Sequence, residues 1–411
     1  MEEKKSPLWT KNFTILTLGT VVSMLGNAVS GFAIGLLVLD YTGSTLLYAV
    51  FAVVYNLPKI IMPSLAGPYL DRFSRVKVIY GLDFVSAGLY LLIFGALTMG
   101  WFNYGVLLAL CLVIGTVDSV YQVAYDSLYP TLISKGNFSK AYSISSMLYP
   151  LSAIMVPVAA WCYENVGVNY LFLFNSVTFL VAALFETRIH ADESQIKPAA
   201  EHYGLSRYRR DFREGIDYLK ADKGLLVITA YFVVSTFTSS ASGTLVLPYF
   251  KAEPGLGVQA YTYVMAFAVL GRMIGGMAHY RFRYPTALKF AIALFVYIAS
   301  SVIDAAYLFT PTNVMMPLMF LSGFICVTSF NIRISSTQNH VPNEMRGRFN
   351  GAFQMLTTLG GSVGTLVGGA LGELWPIRTV IVGVNALCIL ASVLIMYRGR
   401  GHVKKIYCVE V

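Results

Sequence analysis

At 411 residues, 56% of them hydrophobic and 12% charged, the chain is too apolar for a soluble domain, whose charged fraction is usually about 25%. Its length is therefore divided into membrane spans of about 20 residues and short loops, which gives roughly twelve crossings. The formal charge of +9 would suit nucleic acid or acidic lipid, and where Lys and Arg fall decides between them. Of the five cysteines, Cys111, Cys162, Cys326 and Cys388 fall in or beside apolar segments and Cys408 in the tail. With no CxxC pair, neither a disulfide framework nor a metal site is indicated.

The N-terminal MEEKKSPLWTKNF leads into an apolar run longer than a signal-peptide core and without a small-residue cleavage site. The first span is expected to be retained as its own insertion signal. In chain order, windows bounded by Gly, Pro, Asn or charge predict spans near 12–39, 45–66, 77–98, 104–126, 142–162, 168–187, 225–250, 258–280, 287–309, 314–337, 349–373 and 377–397. The longest polar interval, 188–223, holds Arg188, Lys197, Arg207, Arg209, Arg210, Arg213, Lys220 and Lys223. It divides an all-α chain into six-span bundles at 1–187 and 224–411, the second ending in a tail. Within it, RYRRDFREGIDYLK reads either as a basic amphipathic helix on the inner membrane face or as a solvated linker.

With both termini in the cytoplasm, 25 of the 30 Lys and Arg residues fall in the tails and inward loops. Lys251 and Arg378 fall outside, and Lys59, Arg272 and Arg333 lie within spans. The positive-inside rule fixes this orientation and accounts for the charge without nucleic acid. The expected partners are membrane lipid and a small solute, the expected state a monomer.

The halves repeat weakly. An offset of 208 carries GPYLDRFSRVK at 67–77 onto GGMAHYRFRYP at 275–285, matching Gly67 to Gly275 and Arg75 to Arg283, with His279 at the position of Asp71. Both segments are expected to be loops joining the second and third spans of their half. Two parallel six-helix repeats imply a midplane cavity and alternating access by rocking.

The segment Gly67-Pro-Tyr-Leu-Asp71-Arg72-Phe-Ser-Arg75-Val-Lys77 resembles the signature loop of the major facilitator superfamily. More locally, LLVLDYTGS at 36–44, Asp83, SLYPTLISKGNFSKAYS at 127–143 and VPNEMRGRFNG at 341–351 resemble the macrolide-efflux-type branch of drug/proton antiporters. The resemblance implies a major facilitator fold of twelve helices in two pseudo-symmetric bundles and a secondary active transporter, with proton-coupled efflux of an amphiphilic or drug-like solute. An importer or uniporter on the same fold is the alternative. Three departures stand out. Ser74 replaces a loop Gly, so the turn before Arg75 is expected to be less relaxed. Asp118 lies in the fourth span, which lacks an Arg-x-x-x-Gly pattern. The fifth span has Val156-Pro157 where exporters often carry Gly-Pro.

By the resemblance, Gly67, Asp71, Arg72 and Arg75 form an inner charge relay with an acid at the end of the fourth span, a position that Asp126 matches. Lys59 precedes Gly67 by eight residues and Asp118 precedes Asp126 by eight, so both sit about 12 Å in from the inner face. Equal depth allows either a proton-coupling switch or a static buried pair, with Lys59 snorkelling as a third reading. Asp83 reads as a packing or relay acid, Asp304 as an interfacial one, and Arg272 and Arg333 as snorkelling cations.

By the same resemblance, the cavity is lined by the first, fourth, seventh and tenth spans. Asn27, Tyr121, Gln122, Ser235, Thr238, Ser239 and Asn331 are its candidate polar contacts, and Phe32, Tyr125, Tyr231 and Phe237 its candidate aromatic surface. Gly360, Gly364, Gly368 and Gly372 make a stripe without side chains on the eleventh span, suited to close helix approach, and the resemblance sets that span against the second. The sequence holds no HExxH, no GxxxxGK[ST] and no GxSxG in a nucleophile setting, the GGSVG match at 360–364 lying within an apolar span, which argues against an enzyme and against ATP as the direct energy source. No cofactor is expected, and a proton gradient would supply the energy.

Overall fold

The computed structural model describes residues 7–59, 61–62, 73–134, 141, 144, 155–191, 205–281 and 285–408, and among these every regular element is a helix. In the first half they are α1 (Lys11–Thr42), α2 (Thr45–Asn56), α3 (Arg75–Thr98), α4 (Tyr104–Leu128), α5 (Met155–Asn165) and α6 (Val168–Glu186). Then follow α7 (Leu205–Ala221), α8 (Lys223–Ala252), α9 (Gly257–Arg281), α10 (Lys289–Ala306), α11 (Thr312–His340), α12 (Asn343–Leu374), α13 (Ile377–Ala391) and α14 (Arg400–Tyr407). Local chemistry sets the ends. The Thr10, Ser74 and Asn103 side chains accept from Phe13, Lys77 and Val106 N–H to start α1, α3 and α4. Gly43 ends α1 at φ 63, a left-handed conformation that its missing Cβ permits, and donates to the Leu39 carbonyl.

Ten of these helices are long and apolar enough to cross a membrane, α4 and α13 being extended by short 3-10 and π turns. The second and fifth predicted spans are represented by α2 and α5, and the rest of each lies outside the described residues. Two local expectations are corrected. Ser74 has φ −60 and ψ 116 and caps α3, so the turn needs no left-handed residue and Ser is the better choice there. The segment from Gly275, read as a loop, stays helical to Arg281.

The chain divides into two compact units, residues 1–43 with 54–208 and residues 44–53 with 209–411. In unit 1, α6 presents polar side chains to its neighbours. Asn175 Nδ2 donates to Ser30 Oγ on α1 at 2.6 Å, and Ser176 Oγ donates to the Ala87 carbonyl on α3 at 2.8 Å. Gly26 leaves room for this, since a Cβ there would collide with Asn175 and Thr178. Tyr90 and Phe179 stack alongside at 5.7 Å.

In unit 2 the glycine stripe of α12 lies on α8. Gly360, Gly364, Gly368 and Gly372 face Val233, Phe237, Ala241 and Leu245, one helical turn per step on both helices. The resemblance set this helix against the second span. That contact exists but falls chiefly on the neighbouring register: a Cβ on Gly369 would meet Ala49, Thr45 and Leu46 of α2, and Gly372 also approaches Thr45. Thr45 Oγ1 donates to the Gly369 carbonyl at 2.8 Å, and Glu373 Oε1 accepts from Ser44 Oγ at 2.6 Å and from Leu46 N–H at 3.1 Å. A second close seam joins α9 to α11, where Gly271 and Gly275 meet the Phe320 and Phe324 carbonyls.

The basic stretch of the linker forms α7, whose Leu219 is buried and whose Tyr218 packs with it on the core of unit 2. Glu214, one turn before Tyr218, pairs with Arg348 at 3.0 Å. Leu219 and Tyr218 thus pack on protein, where the sequence had left the segment open between a helix on the membrane face and a solvated linker, and the base of α12 offers both a core and a counter-charge. The tail folds back as well: Val403, Ile406 and Tyr407 of α14 are buried in the same core, and the Tyr407 and Tyr297 hydroxyls are 3.2 Å apart.

Candidate functional site

Gly67, Asp71 and Arg72 lie outside the described residues. Arg75 opens α3 and donates through a guanidinium nitrogen to the Ser127 carbonyl at 3.2 Å, tying the start of α3 to the end of α4. Asp126 is exposed and accepts from Gln122 Nε2 at 2.8 Å. Among the described residues its partner is therefore Gln122, one turn back on α4, and it forms no ion pair with Arg75.

Lys59 and Asp118 are brought near one another through a third residue. The Tyr55 hydroxyl donates to Asp118 Oδ2 at 2.7 Å, and Lys59 Nζ sits 4.8 Å from the centre of the Tyr55 ring. Lys59 itself donates to Asn56 Oδ1 at 3.0 Å. Gly115 makes this approach feasible, because a Cβ there would collide with the Tyr55 carbonyl, and Ser119 Oγ donates to the Pro58 carbonyl at 3.3 Å. The equal depth read from sequence is matched by proximity, but Tyr55, which the spacing argument passed over, is what joins the two charges.

Elsewhere in unit 1, Asp83 of α3 and Glu186 of α6 are both fully buried. They lie within hydrogen-bonding reach of each other. Even so, neither Asp83 oxygen finds a donor, because two ionised carboxylates are both acceptors. The Tyr121 hydroxyl approaches Glu186 Oε1 at 3.4 Å, and a Cβ on Gly19 of α1 would stand 2.9 Å from the same oxygen. Asp83 was singled out from sequence. Glu186 was not, because an acid in the last turn of a span reads as a boundary marker, whereas here it turns back into the bundle.

The cavity candidates fall into two groups. Asn27, Phe32, Tyr121, Ser235, Phe237 and Asn331 are half-buried, and Gln122 and Ser239 are exposed. Tyr125, Tyr231 and Thr238 are buried, so they are not available as a solute-facing wall. Tyr231 packs 4.6 Å from Tyr297 and accepts from Ser392 Oγ at 3.3 Å, and Thr238 Oγ1 turns back to the Ser235 carbonyl of its own helix. The Tyr121 and Tyr125 rings of α4 and that of Tyr129, in the 3-10 turn after it, stack in succession at 6.4 and 5.1 Å.

Arg333 does not snorkel as expected. Its guanidinium lies 5.0, 5.3 and 4.7 Å from the ring centres of Phe232, Phe330 and Phe353, whose π faces stabilise the cation. Asp304 is half-buried and accepts from Ser322 Oγ at 3.0 Å, so α11 serves it where interfacial water was expected to. Arg272 is exposed on α9. His279 falls in α9, and its side chain lies outside the described residues.

Relatives share both this sequence and this fold. The chain is 25% identical over 363 residues to the uncharacterized MFS-type transporter YkuC of Bacillus subtilis (strain 168), an alignment covering 83% of this chain and 81% of that one. It is 23% identical over 286 residues to macrolide efflux protein A of Streptococcus pyogenes, covering 67% and 69%. The crystal structure of the nucleoside transporter NupG superposes with a TM-score of 0.69 at 14% identity, covering 96% of this chain and 99% of that chain. The sequence model of the Major Facilitator Superfamily matches residues 16–365. With a helix-only fold, spans of membrane-crossing length and a family match over most of its length, the chain belongs to the major facilitator superfamily and is an integral membrane transporter.

Proposed function

We propose that this transporter exports an amphiphilic or cationic small molecule by alternating access, driven by protons moving inward across a bacterial inner membrane. The observation that carries the reading is that three carboxyl groups inside the spans of unit 1 are withdrawn from the surface, Asp83 and Glu186 buried and Asp118 half-buried. A carboxylate there costs several kcal/mol unless it is paired, hydrated or protonated, which makes it the natural carrier of a coupling proton. The macrolide-efflux relative supports export, and the half-buried Tyr121 ring of α4 suits an apolar solute.

The test uses inside-out vesicles from cells producing the protein, with ethidium as the probe. Acidifying the interior should drive ethidium inward, and an uncoupler should abolish the uptake. Uptake that ignores the pH gradient would remove proton coupling. Accumulation only in vesicles of the opposite orientation would make the protein an importer.

A further inference from the structure

The three acids of unit 1 are not equally served. Asp118 receives a hydrogen bond from Tyr55, with the Lys59 ammonium beyond that ring. Asp83 receives none on either oxygen, Glu186 Oε2 likewise has no donor, and neither residue forms an ion pair with a described residue. Both are fully buried between α1, α3, α4 and α6. The facing residues supply little polarity: α1 contributes Gly19 and Thr20, and α4 contributes Tyr121 with Tyr125 stacked behind it and Asp118 further along. Two facing acceptors with no donor between them are a strongly unfavourable arrangement in an apolar interior. A single proton removes the conflict, since one carboxyl then donates to the other and the pair carries one negative charge in place of two.

We propose that Asp83 and Glu186 form a proton-binding site that holds one proton between their carboxyl groups, with the Tyr121 hydroxyl fixing Glu186 from the side. The inference deepens the proposed function and rests on it for the coupling role, though not for the presence of the proton. Binding forms one carboxyl O–H bond as a hydronium gives one up and becomes water. Release returns the proton to water and leaves two adjacent negative charges whose repulsion acts between α3 and α6. Because the Glu186 carboxyl is wedged against α1 at Gly19, that repulsion falls on a contact with no slack. Tyr121 is half-buried with its hydroxyl on the site, so an event at its accessible face reaches the proton through a single side chain.

Two measurements test this. The first is infrared spectroscopy of the purified full chain in lipid at neutral pH, which reads the carbonyl stretch of protonated carboxyl groups. The wild type should show such a band from the interior, and Asp83→Asn and Glu186→Gln should each remove or shift it. A band that survives both substitutions unchanged, or no band in the wild type, overturns the site. The second is ΔpH-driven ethidium uptake in inside-out vesicles. Both variants should lose their response to the gradient, while the exchanged pair Asp83→Glu/Glu186→Asp, which keeps two carboxyls, should restore it together with the band. A wild type driven by ΔpH alongside an Asp83→Asn/Glu186→Gln variant driven equally well overturns the coupling role and leaves the exporter reading standing. A wild type that shows the band but no ΔpH-driven uptake supports the proton site and defeats the exporter reading. Elution of each variant as a single species with the wild type separates these outcomes from misfolding.

Discussion

At the scale of single residues, the arrangement most open to measurement is Asp222. Its Oδ1 accepts from Gly224 and Leu225 N–H at 2.7 and 3.1 Å, capping α8, while its Oδ2 lies 2.7 Å from His340 Nε2 at the end of α11. Burial alone would raise this carboxyl, but the hydrogen bonds from His340 and the two backbone donors outweigh it and hold the group below its ordinary value. A carboxyl lowered by folding contributes stability above its unfolded value of about 3.9 and loses it as the pH falls through the folded value. Asp222→Asn keeps the cap, so its melting temperature in detergent should differ from the wild type by a constant amount at neutral pH, with the gap closing only below about pH 3.9. Asp222→Ala loses the cap as well and should be destabilised by about 1–2 kcal/mol. Tyr55→Phe tests a different contact. It removes the donor to Asp118 but keeps the ring under Lys59, and it should slow ethidium efflux and alter its pH profile; an unchanged profile would make the Tyr55–Asp118 contact purely structural. Single-residue detail of this kind was only partly legible in the sequence. Equal depth led to Lys59 and Asp118, but an eight-residue spacing says nothing about a third side chain between them.

Among the elements, the glycine seams separate two kinds of position on the same helices. At Gly364 a Cβ would run into the Phe237 backbone carbonyl, and at Gly271 into that of Phe320, so neither obstacle can swing aside. Gly364→Ala should destabilise unit 2 by about 1–3 kcal/mol, read as a lower melting temperature in detergent. Gly276 and Gly383 open onto free space, and alanine there should leave the melting temperature at or above that of the wild type, through a helix propensity gain of up to about 1 kcal/mol. A stripe of Gly every four residues was plain in the sequence, but its partner was not. Gly368 and Gly369 are neighbours in sequence, yet one serves α8 and the other α2. Helix α14 was read only as a tail, although Val403, Ile406 and Tyr407 fall at helical spacing and are all buried. Eight residues, with Arg400, Lys404 and Lys405 among them, offer too short a pattern to stand out.

At the scale of the whole molecule, the apolar windows foretold the spans well because membrane thickness imposes a length that composition alone reveals. The orientation was read separately, from where Lys and Arg fall, and cysteine chemistry can check it. Cys162 near the end of α5 should react with a membrane-impermeant maleimide from the outer face, and Cys408 after α14 from the inner one, while Cys111 and Cys388 are buried and should stay unlabelled. Labelling of Cys408 from outside would reverse the assigned topology. Interior polar matches were beyond the reach of such windows, since hydropathy averages away the residues that matter most inside a bundle. Asn175 and Ser176 show this on α6, where they disappear into a mean yet make the bonds that hold α6 to α1 and α3. Those bonds bear on how the protein is made. Emerging from the ribosome, the sixth segment carries polar groups that lipid cannot satisfy, so α1 and α3 must already wait in the bilayer to receive it. A nascent chain cut short before Val168 should leave the earlier segments unclosed and prone to degradation.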